Sequence, residues 1–255
     1  MRYTPKLPKE NLNISKKHPL KEFLKLLSGL LLIVFAVYII LGFCVDLVIP
    51  HLPQGFESNL GKLYAPMYTS KTIDTQNTEE VQNLLNQLLD YSDDKKSYQV
   101  YVVESEIVNA VALPERKIII YSELLKEIKT EDELVFVLAH ELGHHVNKDH
   151  LRALGRRLVI LSISSVFFGQ DKSLNSFIGN SLSNTEMKFS QRQEKNADLF
   201  ALKILLKRYQ NPEGAIDFLE KIKKKHNLSK FFYFFSTHPH PQKRIEAIRK
   251  KIQEK

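Results

Sequence analysis

The chain has 255 residues, 43% of them hydrophobic and 26% charged, with a formal net charge of +8 at pH 7. This composition excludes a disordered polymer, and a single cysteine, Cys44, excludes any intrachain disulfide, so a packed core must hold the fold. Residues 1–25 hold seven basic and two acidic groups, and no basic stripe with interleaved aromatics appears elsewhere, so no nucleic-acid partner is expected.

That basic end, read as a cytoplasmic tail over 1–25, precedes Leu26 to Val45, an uncharged apolar run of 20 residues. A run of this length crosses a hydrocarbon core as one helix. A cleaved signal would have a shorter apolar region ending in small residues. Here Asp46-Leu47-Val48-Ile49-Pro50 follows, so residues 26–49 read as an uncleaved transmembrane anchor in a lipid bilayer. Arg2, Lys6, Lys9, Lys16, Lys17, Lys21 and Lys25 precede the span, whereas Asp46 to Lys62 holds a single lysine. The positive-inside bias then puts the N-terminus in the cytoplasm and the following domain on the extracytoplasmic side.

Pro50, Pro53, Gly55, Gly61 and Pro66 punctuate residues 50–75, read as a linker into a domain over 76–255. Val81, Leu84, Leu85, Leu88 and Leu89 then mark an amphipathic helix over 79–91. Tyr98–Val103, Ile107–Leu113 and Lys117–Tyr121 are β-rich. Three strands followed only by helices predict an α+β fold, mostly helical, with a small sheet packed beside the next helix. Should the strand at Asn109-Ala110 lie at the sheet edge, its backbone pairs with an extended peptide, which makes these two residues candidate substrate contacts. The plainer reading is an ordinary core strand.

Thr130-Glu131-Asp132-Glu133 reads as a capping box, after which Val135, Leu138, Leu142 and Val146 recur at helical spacing. On another face of the same helix stands His140-Glu141-Leu142-Gly143-His144. Residues four apart share a face, so the two imidazoles present nitrogens to one point, and Glu141 beside them reaches a metal-bound water. A catalytic zinc takes three protein ligands and keeps a fourth position for water. Two residues compete for the third place. His150 has the spacing of a longer H-E-x-x-H-x-x-G-x-x-H motif, but Asn147 stands where that motif has its helix-ending glycine, and 148–157 carry no strong stop signal. Glu194 opens a second helical run containing Ala197, Leu199, Phe200, Ala201, Ile204 and Leu205, and is the better candidate. Asp198, four residues on, shares its face and is placed to hydrogen-bond the far nitrogen of a ligating histidine.

Two further apolar stretches follow the anchor. Leu158–Phe168 is too short to span a bilayer, and reads as a core helix or a membrane-dipping surface. Phe231-Phe232-Tyr233-Phe234-Phe235 reads as core packing, a cleft wall or a bilayer contact. His238, in Thr-His-Pro-His-Pro, has by sequence alone the plain reading of an exposed turn residue.

Four segments in order resemble the membrane-associated gluzincin peptidases of the HtpX, Oma and prenyl-protease type. They are Val108–Pro114, His140–His144 with Asn147-Lys148-Asp149-His150, Glu194-Lys195-Asn196-Ala197-Asp198, and Ser236-Thr237-His238-Pro239 with Arg244-Ile245. The match covers roughly residues 75–250. Glu115-Arg116 departs from it, where relatives carry a glycine-rich turn. The resemblance implies a zincin-like metallopeptidase domain with one Zn2+ held by His140, His144 and Glu194. It implies Glu141 as general base, and His238 or Arg244 near the carbonyl oxygen of the tetrahedral intermediate.

The leading expectation is therefore a membrane-anchored zinc endopeptidase acting on unfolded or extended polypeptides, in membrane or envelope protein quality control as the resemblance implies. The rival is a non-catalytic, chaperone-like module whose zinc site is structural. Against it, Glu141 is retained. Prenyl-protein proteolysis is disfavoured, because only one span is evident.

Overall fold

A computed structural model describes residues 18–64, 72–168, 189–225 and 228–254. Most of the basic tail therefore lies outside the described residues.

Helix α1, Pro19–Val48, starts seven residues before the uncharged run begins. Pro19 opens it, where the missing N–H costs nothing. No residue of α1 is buried, and it is long and apolar enough to cross a membrane. A short 3-10 turn, Ile49–His51, follows. Within the stretch read as a linker lies helix α2, Gln54–Tyr64.

Helix α3, Thr75–Leu89, is capped by Asp74, whose carboxylate accepts the Asn77 N–H, and buries Val81, Leu84, Leu85 and Leu88. Strands β1, Gln99–Val103, β2, Ala110–Leu113, and β3, Lys117–Tyr121, form one sheet in the order β1-β3-β2. β2 and β3 are an antiparallel hairpin, while β1 runs parallel to β3. The hairpin turns through Glu115 and Arg116, both left-handed at φ 64° and 58°. A glycine would relieve that strain. α3 covers the outer edge of β1: Thr78 Oγ1 accepts the Val102 N–H at 2.9 Å and Gln82 Oε1 accepts the Val100 N–H at 2.8 Å.

After α4, Ser122–Glu127, comes α5, Glu131–Val146, the helix of the two histidines. Thr130 is its N-cap residue, as the sequence predicts, but Glu133 accepts the N–H of Lys129 and pairs with Lys221. The complete capping box sits instead at Ser190 and Gln193, opening α7, Gln191–Tyr209. Between them lies α6, Asp149–Phe168. The chain closes with α8, Glu213–Lys224, α9, Phe232–Thr237, and α10, Pro241–Gln253.

The main core gathers α3, one sheet face, α5, α7, α8 and α10 around Phe136, Phe218, Leu85, Ile118 and Leu138. A smaller cluster under the other sheet face joins Val111, Leu113 and Ile119 to Leu154 of α6 and to Phe189. Of the aromatic run, Phe231 and Phe234 are core residues, while Phe232 and Tyr233 are exposed.

Candidate metal centre

His140 and His144 lie on one face of α5, and α7 crosses that helix closely enough to bring Glu194 over them. The crossing is tight because neither helix has bulk there. A Cβ on Gly143 would stand 3.0 Å from Cα of Ala197. Gly143 of the first motif and Ala197 of the second thus have a packing reason to be small.

The donors converge. His140 Nε2 and His144 Nε2 are 3.1 Å apart. Glu194 Oε1 is 3.4 Å from His144 Nε2, and its Oε2 is 3.6 Å from His140 Nε2. His238, at the C-cap of α9, adds Nδ1 at 3.0 Å from Glu194 Oε1 and 3.3 Å from His140 Nε2. One atom from each of these four residues fits within 4.8 Å.

Each α5 imidazole is oriented from behind. His140 Nδ1 faces Asp198 Oδ1 at 2.9 Å, and His144 Nδ1 faces Asp149 Oδ2 at 2.9 Å. A carboxylate at Nδ1 makes that nitrogen the donor and turns the Nε2 lone pair inward. Two inward lone pairs beside a carboxylate repel one another unless a cation or a proton lies between them. The donor set therefore fits a metal ion, and nitrogen with carboxylate oxygen suits zinc.

The electrostatics agree. Burial alone would depress His144, but the hydrogen bonds its ring donates to Asp149 and Glu194 outweigh it and push its pKa up to about 9. Burial opposes ionisation of Glu194, yet the charges of Arg244 and His238 hold its carboxyl well below the usual range. Burial and then Arg244 lower His140, against the pull of Asp198.

Arg244, on α10, supplies the compensating charge. Its Nη1 is 2.9 Å from Glu194 Oε2, and its guanidinium grips Asp198 through Nε at 2.9 Å and Nη2 at 2.7 Å. The fork spans both carboxylates. Glu141 has Oε1 at 3.5 Å from His238 Nε2, while its buried Oε2 has no hydrogen-bond partner.

His150 does not join this group. α5 ends at Val146, Lys148 turns left-handed at φ 54°, and α6 begins at Asp149. The sequence shows no such stop, and the break redirects the chain. His150 then packs its ring 4.7 Å from that of His145, with neither nitrogen hydrogen-bonded. His145 itself bonds the carbonyl of Lys117 through Nε2 at 2.9 Å.

Asn109 and Ala110 are buried beside the site. The Thr237 hydroxyl donates to the Tyr233 and Phe234 carbonyls at 3.1 Å and lies 3.4 Å from Asn109 Oδ1, so the residue before β2 stands against the one preceding His238. β2 is an outer strand of the sheet.

Two residues of the site escape sequence reasoning. Asp149 is visible only as part of the Asn147–His150 string; that it swings back onto His144 depends on the Lys148 turn, and Gln193 holds its other oxygen at 2.9 Å. Phe189 stacks face to face on His144, with centroids 3.8 Å apart, and its N–H donates to the Thr237 carbonyl. Nothing in the sequence around it signals that contact. With this ring in place the centre is closed: His140, Glu141, His144, Glu194 and His238 are at most 4% exposed.

An H-E-x-x-H helix crossed by a glutamate-bearing second helix defines the gluzincin class of metallopeptidase domains. The chain belongs to peptidase family M48, whose model matches residues 74–252. It is similar to metalloprotease LoiP of Escherichia coli (strain K12), 31% identical over 163 residues, covering 61% of this chain and 62% of that protein. It is also similar to mitochondrial metalloendopeptidase OMA1 of Arabidopsis thaliana, 30% identical over 60% of this chain and 31% of the relative. The beta-barrel assembly-enhancing protease of Yersinia pestis is 25% identical over 68% and 38% respectively. The chain thus spans between about a third and three fifths of the length of these relatives.

Proposed function

We propose that this chain is a membrane-anchored zinc endopeptidase that hydrolyses peptide bonds in unfolded or extended polypeptides, serving membrane or envelope protein quality control. The observation that carries the reading is the pair of Nε2 nitrogens, 3.1 Å apart, with Glu194 and the free oxygen of Glu141 beside them.

His140, His144 and Glu194 would hold the zinc, with Asp198 and Asp149 fixing the two imidazoles. Zinc, when bound, lowers the pKa of its water and polarises the substrate carbonyl. Glu141 takes a proton from the attacking water at Oε2 and delivers it to the leaving amine nitrogen. His238 is the fourth donor of the group, and a catalytic site needs that position for water. His238, at the end of a short helix before Pro239, would leave that position open, and its ring would serve the developing oxyanion. Arg244 holds Glu194 and Asp198 in place. Asn109 and Ala110, where the outer strand β2 begins, are the candidate contacts for an extended chain once Phe189 moves off His144.

Lys21 and Lys25 at the start of α1 and the lysine-poor stretch beyond it support an orientation with the peptidase domain on the extracytoplasmic side. The closed centre also suits the rival, a client-binding module with a structural zinc. Fluorescein-labelled casein incubated with the full chain in phospholipid vesicles separates the two. The peptidase reading expects cleavage that a chelator abolishes and zinc restores, with far-UV dichroism unchanged throughout. Absence of cleavage by the zinc-loaded protein favours the rival.

A further inference from the structure

Helix α6 does not stay within the domain. It runs antiparallel to the end of α1: Lys148 Nζ donates to the Ile49 carbonyl at 3.4 Å, Arg152 and Arg156 reach Asp46 at 3.5 and 2.9 Å, and a Cβ on Gly155 would meet Val45 Cγ1 at 2.6 Å. Each step up α6 is a step back along α1, towards the apolar run. The glycine lets the two backbones approach, as at helix contacts within membranes.

From Leu158 to Phe168 the helix carries no charge. Leu158 is 44%, Ile160 47% and Val166 82% exposed, so these side chains are left outside the core. The Ser165 hydroxyl is satisfied inside the helix, by the Ser162 carbonyl at 2.8 Å. All the charge stands at the base, where a cavity of about 370 Å³ is lined by Lys148, Arg152, Arg156 and Arg192 against Asp46 and Asp149.

We infer that Leu158–Phe168 is inserted in the lipid bilayer beside α1, as a second membrane element that enters one leaflet and does not cross. At a rise of about 1.5 Å per residue these residues reach roughly 16 Å, about half of a hydrocarbon core near 30 Å thick. The basic base then stands at the level of the phosphate headgroups, where cations are favoured. Three features select lipid as the occupant: continuity with the apolar face of α1, an uncharged surface, and a charge boundary at Arg157. The consequence for the site is direct. Asp149, which orients His144, is the first residue of the inserted helix, so the centre sits against the membrane surface and meets polypeptide emerging there. The inference rests on the anchor reading of α1 and is independent of catalysis.

Cys44 is the sole cysteine, so a Cys44→Ser background permits single-site labelling. Cysteines placed at Val166, at Ile33 of α1 and at Asn86 of α3 are labelled with nitrobenzoxadiazole in the full chain, reconstituted in phosphatidylcholine–phosphatidylglycerol vesicles. All three positions are exposed, so the substitutions leave the core intact. Doxyl groups on the lipid chains are expected to quench the probes at Val166 and Ile33 severalfold more than the one at Asn86, with aqueous iodide giving the reverse order. Lipid quenching at Ile33 with iodide quenching, or no quenching, at Val166 would overturn the inference and leave the anchor standing. Iodide access at both positions would remove both.

Discussion

Gly143 and Ala197 meet where α5 and α7 cross, so closely that a Cβ on the glycine would stand 3.0 Å from the alanine Cα. The contact is between backbones, which have no rotamer to give. It sets the height of Glu194 above the two histidines.

A larger residue at Gly143 therefore forces the helices apart. Gly143→Val is expected to cost about 1–3 kcal/mol by overpacking and to lower zinc content, because Glu194 retreats from His140 and His144. Thermal unfolding and metal analysis of the purified variant check both. Full zinc occupancy would show that the crossing does not set the site.

Ligand choice has its own comparison. Glu194→Ala is expected to lose zinc, and His150→Ala to retain it, since the His150 ring packs on His145 outside the donor group. Metal analysis of the two proteins prepared in parallel decides; zinc lost only from the His150 variant would reverse the assignment.

Asp149 orients His144 from behind, so Asp149→Asn keeps the shape and weakens the acceptor. A tenfold to hundredfold drop in zinc affinity is expected, in the usual range of about 10–100-fold for such partners. Competition with a chromogenic chelator measures it. Affinity equal to that of the unaltered protein would make Asp149 a packing residue only.

Arg244 is buried between Glu194 and Asp198. Arg244→Met leaves two carboxylates without their counter-charge, which costs about 3–5 kcal/mol for a broken buried pair. Equilibrium unfolding in urea is the measurement. Arg244→Lys is expected to recover part of the loss, because an ammonium restores charge without the two-sided fork.

The parts of this site that lie on regular helices are legible in the sequence. His140 with His144, and Glu194 with Asp198, are each four residues apart, and helical geometry alone puts each pair on one face. Asp198 behind His140 follows from the same periodicity. The parts that depend on irregular backbone are not legible. Lys148 adopts a left-handed conformation that its side chain does not favour, and this one residue ends α5, starts α6, brings Asp149 to His144 and carries His150 away. The sheet is similar. Three β-rich runs in succession suggest neighbours in chain order, but β1 pairs parallel with β3 and leaves β2 on the outside facing α5. Helix α2 hides behind Pro53, Gly55 and Gly61, whose punctuation imitates a linker. Gly61 has a packing use, since a Cβ there would overlap the Glu115 side chain of the hairpin turn.

The central claim is that Glu141 moves the proton while His140, His144 and Glu194 hold the metal. Glu141→Gln preserves shape and removes the base. Zinc content and casein cleavage are measured on the same preparation of the full chain in vesicles. The account predicts zinc bound as in the unaltered protein with cleavage reduced to background. Cleavage at the unaltered rate by the zinc-loaded variant would contradict it.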